Sequence, residues 1–150
     1  MAEKFSTGFR DAINQTGSVK ATMALGFLDV FGGTKPTDAD TTEGSSVLLP
    51  FTVSGGATGL SMGTSTAGVL AKAVEDWEGV GQAAASTGTT ATWCRWYDSN
   101  HTTGGPSTTA VRVDGSVGTG SSYELQMSNT TIVESNPASV SSWNFTFPAS

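Results

Sequence analysis

The sequence is poor in charge and in reactive side chains. Its 150 residues include one cysteine, one histidine, seven lysines and arginines, and thirteen acidic residues, for a net charge of −6. A single cysteine, Cys94, excludes an intramolecular disulfide and any cysteine-rich metal site. Without clustered lysine and arginine, the chain lacks the usual means of binding nucleic acid or an anionic membrane. No stretch approaches the roughly 20 apolar residues of a membrane-spanning helix. The first dozen residues include Glu3, Lys4, Arg10 and Asp11 rather than an apolar signal, so we expect synthesis in the cytoplasm.

Threonine, serine and glycine are abundant where charged residues are few. The chain has 23 threonines, 19 serines and 19 glycines, and its hydrophobic fraction is 37%. This composition has too many large apolar residues for disorder and too little Glu, Lys and Ala for a mainly helical protein. It predicts one all-β domain with hydroxyl-rich outer faces and glycine-bearing turns.

The strongest strand pattern is Thr89–Asp98. Trp93, Arg95 and Tyr97 alternate with Cys94 and Trp96, so each face of the strand carries an aromatic ring. We therefore predict a central strand that is covered on both sides, with the stem of Arg95 on apolar surface.

Several other segments read as strands, including 24–31, 46–53, 110–113, 123–127, 130–134 and 140–147. Pro50 places the second of these at a sheet edge or a bulge. Asp114-Gly115 predicts a hairpin turn between alternating runs. Residues 57–88 fit either strands or a short helix. Together the pattern predicts an antiparallel β-sandwich or jelly roll over residues 24–150.

Residues 1–23 differ from the rest and predict an N-terminal arm with a short helix. Phe5, Phe9 and Ile13 follow helical spacing, Ser6 or Thr7 can cap the first turn, and Gly17 ends the helix. The arm either packs on its own domain or docks on another subunit, because a short helix needs tertiary contacts to form.

We expect no catalytic, cofactor-binding or metal site. Gly59–Gly63 matches the nucleophile-elbow spacing around Ser61, with His101 as the sole histidine, but no alternating βαβ pattern surrounds it. Asp38, Asp40 and Thr42 have the opening spacing of a calcium loop, yet Glu43 and Leu49 stand where that loop needs glycine and glutamate.

Several motifs, in order along the chain, resemble those of a family of small structural proteins from tailed bacteriophages. The family has a Ser-x-Gly-hydrophobic-Arg opening, a strand followed by Gln-Pro-x-Ser-Ala-Asp, a Gly-Thr-Ala-Thr-Trp-Phe-Arg strand and a hairpin turn. The matching segments here are Phe5–Ala12, Gly17-Ser18, Val30–Pro36 with Asp38-Ala39-Asp40 after it, Gly88–Arg95 and Asp114–Gly118. This sequence departs from the family pattern at Lys35 before Pro36, at Cys94 and in residues 57–88.

The resemblance implies a non-enzymatic virion protein present in many copies. Its first expected role is capsid decoration (a cement protein), with the major capsid protein and further copies of itself as partners, in a homo-oligomer. In that role the arm would dock through Phe5, Phe9, Arg10 and Ile13.

Two other roles stay open. One is a tail, fibre or head–tail joining component. The other is a glycan-binding receptor module, in which Trp77, Trp96 and Tyr97 form a sugar-stacking platform if their rings are exposed.

Overall fold

The chain is mainly β-structure. The computed structural model describes residues 3–146, Thr146 by its backbone alone, and is 38% strand and 12% helix. The predicted β class is therefore confirmed. The strands are β1 (Lys4–Phe5), β2 (Phe27–Phe31), β3 (Leu49–Val53), β4 (Met62–Thr66), β5 (Val69–Lys72), β6 (Trp77–Val80), β7 (Thr89–Thr90), β8 (Trp93–Tyr97), β9 (Arg112–Gly118), β10 (Leu125–Met127), β11 (Thr131–Ile132) and β12 (Pro137–Thr146). The helices are α1 (Thr7–Thr16), α2 (Val19–Thr22) and a 3-10 turn at Ala83–Ala85.

Seven strands close into a barrel, in the order β9-β8-β2-β3-β6-β12-β10. All neighbours in this ring are antiparallel except β10 and β9, whose parallel pairing closes it. The β4–β5 hairpin extends the sheet beyond the C-terminal part of β12. The predicted sandwich or jelly roll is not confirmed, because one sheet closes on itself instead of packing against a second sheet.

Strand β8 is central, as predicted, but it is shorter than the predicted strand 89–98, since Thr89-Thr90 forms β7 and pairs with β11 in a separate two-stranded sheet. Strand β8 pairs with β2 on one side and β9 on the other, and all five of its residues are buried. Cys94 and Trp96 belong to the barrel core, where the ring of Trp96 lies 5.4 Å from the rings of both Trp77 and Trp143. The alternate residues of β8 point to the outer face of the barrel.

The predicted helix of the arm is confirmed. Ser6 caps it by accepting a hydrogen bond from the Phe9 N–H at 3.0 Å, and Gly17 ends it in the left-handed conformation with φ of 73°. The helix lies on the barrel of its own chain, because Phe9 is buried in the core cluster and β1 pairs with β9. Gly8 permits this approach, since a methyl group there would overlap the carbonyl of Thr109.

The prediction of a turn at Asp114-Gly115 was wrong. Both residues lie inside β9, opposite Arg95 and Cys94 of β8. The buried charge of Arg95 attracts Asp114 into the sheet, and this cross-strand pair overrides the local turn preference. The next strand, β10, is a neighbour of β9 but runs parallel to it.

Two other segments have structures that the local sequence did not predict. Pro50 is not in an edge strand, since β3 lies between β2 and β6. Its missing N–H costs no ladder bond, because the register of β3 with β6 begins only at Thr52. Residues 57–88, which the sequence left open, form β4, β5, β6 and the 3-10 turn.

Candidate functional site

Five charged side chains are buried between the outer face of the barrel and the loops 33–46 and 98–111. We call this set the charge cluster; its members are Asp29, Glu43, Arg95, Arg112 and Asp114. Three of them form a row across the sheet, since Asp29 of β2 and Asp114 of β9 both lie opposite Arg95 of β8. Of these two acids, Asp114 forms the ion pair with Arg95, whereas Asp29 bonds to His101.

The pair of Arg95 and Asp114 is the centre of the cluster. The guanidinium donates from Nε to Oδ1 at 2.6 Å and from Nη2 to Oδ2 at 2.8 Å, and both side chains are 0% exposed. Its Nη1 donates to the Thr41 carbonyl at 2.8 Å. Desolvation lowers the pKa of Arg95, but the hydrogen bonds and charge of Asp114 outweigh it and raise that pKa, so the guanidinium stays charged.

Glu43 attaches the first loop to the barrel. Its carboxylate accepts a hydrogen bond from the Tyr97 hydroxyl at 2.7 Å and from the Gly104 N–H at 3.1 Å, and it lies 3.5 Å from Arg95 Nη1. Burial, and then the neighbouring carboxylate, raise the pKa of Tyr97 far above its ordinary value. The phenol is therefore a permanent donor in this site.

The second loop is held by two further contacts. His101 Nε2 lies 2.9 Å from Asp29 Oδ2, and the imidazole stacks on Phe27 with ring centroids 4.6 Å apart. Arg112 donates to the carbonyls of Thr102 and Gly105. Each buried charge thus has a partner within its own fold.

This arrangement ties the two loops to the barrel. Cys94 lies on the opposite side of β8, in the barrel core. Burial raises the pKa of the Cys94 thiol well above its ordinary value, and the charge of Asp114 raises it further, which makes the thiol unreactive. Within residues 3–146, no three His, Cys, Asp or Glu side chains are grouped so that they can hold a metal ion.

The four predicted docking residues of the arm are not equivalent. Phe9 is buried in its own chain, and Phe5 is half-buried and stacks on Phe9 at 5.0 Å. Ile13 is half-buried against the core. Arg10 is exposed and donates only to the Thr7 hydroxyl, at 3.0 Å. Of the four, only Arg10 belongs to the exposed face of α1, which also contains Asp11, Asn14, Gln15 and Thr16.

The weaker motifs occupy structural positions. The N–H of Ser61 donates to Glu75 at 2.7 Å, while His101 is engaged with Asp29. Asp40 accepts a hydrogen bond from the N–H of Thr7 at the start of α1. These residues connect segments of the fold.

The proposed sugar platform is not present. Trp77, Trp96 and Tyr97 are at most 1% exposed, so their rings offer no face to a ligand. The exposed aromatic ring in the described residues is Tyr123, which is 41% exposed.

Sequence reasoning missed most of the charge cluster. The available signal was a single arginine in an otherwise aromatic strand, which needs an acid nearby. Nothing local identifies that acid as Asp114 or places Glu43 against Tyr97.

Comparisons with known proteins find no relative. No protein-family model matches the chain, and no curated protein and no solved structure is significantly similar to it. None of the helices in residues 3–146 has the length and apolar character needed to cross a membrane.

Proposed function

We propose that this chain is a non-enzymatic bacteriophage virion protein that decorates the capsid, binding the major capsid protein and further copies of itself. The observation that carries the proposal is the charge cluster, whose five buried charged groups all pair within the fold. Such paired groups fix the loops to the barrel and suit a rigid scaffold. The motifs shared with tailed-phage structural proteins supply the virion context.

The surface suits repeated, wet contacts. Threonine and serine dominate the exposed residues, and hydroxyl groups form interfaces in which water bridges the partners. In a symmetric shell many modest contacts act together, so no single interface has to be strong.

Two exposed features are available for contacts with a shell. One is the free face of α1 around Arg10. The other is β4, the last strand of the sheet, whose outer edge has no neighbour among the described strands and whose residues Met62–Thr66 carry no charge. An uncharged free edge is a ready site for pairing with another chain.

The test is to locate and count the chain in purified particles. Decoration predicts copy numbers that follow the icosahedral lattice, with density for the barrel on the outer shell in a particle reconstruction. A small ring of copies at the tail or at one vertex would replace this role with the tail or joining role. Absence from particles would reject the virion proposal.

The role of the arm is tested by a charge reversal on its free face. We expect Arg10→Glu to weaken binding of the purified chain to undecorated shells, whereas Glu78→Lys on β6 should leave binding unchanged. Comparison of these two variants tests the docking contact more specifically than deletion of residues 1–20, because the deletion also removes the buried ring of Phe9. Equal binding by both variants and the unaltered chain would exclude Arg10 from the contact.

A further inference from the structure

Tyr123 stands out from the other large aromatic side chains because of its exposure and its fixed position. It lies in the six-residue connection between β9 and β10. Because these two strands pair in parallel, the connection has to bring the chain back alongside β9. The ring rests on Gly118 of β9, where a methyl group would overlap it. One face is therefore supported by backbone while 41% of the residue remains exposed. A ring held in this way offers a flat surface at little entropic cost.

Two surface pockets adjoin this ring, and Tyr123 lines both. The first, of about 280 Å³, is also lined by Glu3, Ser121, Ser122, Glu124, Gln126 and Asn144. The second, of about 360 Å³, is also lined by Thr90, Ala91, Thr92, Val117, Gly118, Thr119 and Thr130. The combined surface is an aromatic ring between hydroxyl, amide and carboxylate groups.

The first pocket is lined by polar side chains, and Asn144 has an acceptor left for a ligand. Asn144 donates through Nδ2 to the Ser142 hydroxyl at 2.9 Å, which leaves its amide oxygen as an acceptor. Glu124 is anchored by the N–H and hydroxyl of Ser116. Burial raises the pKa of the Glu3 carboxyl and outweighs the charge of Lys35, which lowers that pKa. The Asn144 amide oxygen can therefore accept a hydrogen bond from a ligand hydroxyl.

We propose that the Tyr123 surface binds a neutral oligosaccharide. A sugar ring has one apolar C–H face, which can stack on Tyr123, and hydroxyl groups at its rim, which can bond to Gln126, Asn144 and the carboxylates. Neither pocket is lined by a lysine or arginine among the described residues, so a phosphorylated or acidic ligand would meet no cationic side chain in the pocket walls.

This proposal does not depend on the virion role, although display in many copies would strengthen weak binding through avidity. The same sugar chemistry occurs in soluble oligosaccharides and in cell-surface polysaccharides. Titration of the protein with soluble oligosaccharides and binding of the protein to immobilised polysaccharide distinguish these two sources.

The direct test is an NMR titration of the full ¹⁵N-labelled chain with maltotetraose, cellotetraose, chitotetraose and tetragalacturonate. We expect at least one of the three neutral sugars to shift amide signals of residues 118–126 and 90–92, with a Kd in the range of about 1 mM. The anionic tetragalacturonate should bind more weakly than that sugar. Binding of the parent polysaccharide but not its tetrasaccharide would place the ligand on a cell surface and retain the proposal.

Three variants identify the stacking ring. Tyr123→Ala should weaken binding by about tenfold, whereas Tyr123→Phe, which keeps the ring, should weaken it by less than about threefold. Val80→Ala is the matched control, because Val80 is 46% exposed on β6 and lines neither pocket. If Tyr123→Ala disturbs the fold, Gln126→Ala tests the same pocket through a hydrogen-bonding side chain. The proposal is overturned if none of the neutral sugars or polymers binds, if the shifts map elsewhere, or if loss of the ring leaves Kd unchanged.

Discussion

Removal of the Asp114 carboxylate is the most informative perturbation of this fold. Asp114 and Arg95 are both 0% exposed and share two short hydrogen bonds. Asp114→Ala leaves a guanidinium in the protein interior without its main partner, which typically costs about 3–5 kcal/mol. That loss is a large part of the 5–15 kcal/mol by which ordinary domains are stable.

Urea denaturation followed by tryptophan fluorescence measures this loss. With an m-value of about 2 kcal/mol/M, the midpoint should fall by about 1.5–2.5 M. The matched control is Glu78→Ala, which removes an exposed carboxylate from β6 and should change stability by less than about 0.5 kcal/mol.

A double variant separates the free-energy cost of the unpaired buried charge from the cost of losing the contact between Arg95 and Asp114. Arg95→Met combined with Asp114→Leu removes both charges, and Glu43 keeps its bonds from Tyr97 and Gly104. We expect the double variant to be more stable than Asp114→Ala alone, because replacing a buried ion pair by apolar groups is often nearly neutral. The reasoning is refuted if Asp114→Ala behaves like Glu78→Ala, or if the double variant is the less stable of the two.

Three further predictions follow from the arm and from strand β8. Gly8→Ala should destabilise the chain by about 1–3 kcal/mol, because the added methyl overlaps the Thr109 carbonyl, although alanine favours helices. The control is Asn14→Ala, at an exposed position of α1. A stabilising effect of Gly8→Ala would contradict the close packing of α1 on the barrel. The pKa of the Cys94 thiol is raised in the folded state, so its contribution to stability is complete below the unfolded pKa of about 8.5 and is lost as pH rises. The free energy of unfolding, measured between pH 7 and 10, should show this decline, and Cys94→Ala should make the decline less steep. Identical slopes for the two proteins would exclude the thiol as a cause of the decline. Tyr97→Phe should cost about 1–3 kcal/mol in the same denaturation assay, because it removes a donor from the buried Glu43 carboxylate; an unchanged midpoint would mean that the hydroxyl does not stabilise the loop.

Local patterns predicted the elements whose neighbours are close in sequence. Alternation in residues 93–97 identified a central strand with both faces covered, and the structure confirms it. The spacing of Phe9 and Ile13, the cap at Ser6 and the stop at Gly17 identified α1. These features depend on side-chain direction and on backbone preferences within a few residues, which the sequence contains directly.

Other predictions failed where a distant residue decided the outcome. Asp114-Gly115 has the local chemistry of a turn, but Arg95, 19 residues earlier, needs a buried acid, and the pair keeps both residues in β9. The predicted sandwich became a barrel because β10 pairs with β9 in parallel, a register that no local pattern encodes.

The sequence by itself therefore determined the β class, the central strand and the capped arm helix, because each depends on near neighbours. Only the tertiary structure decided barrel closure, the pairing of the five buried charges, and which aromatic ring stays exposed. Trp77, Trp96 and Tyr97 are buried, whereas Tyr123 is exposed. Ring exposure depends on which strands pack above each residue, and that packing is set by contacts between residues far apart in the chain.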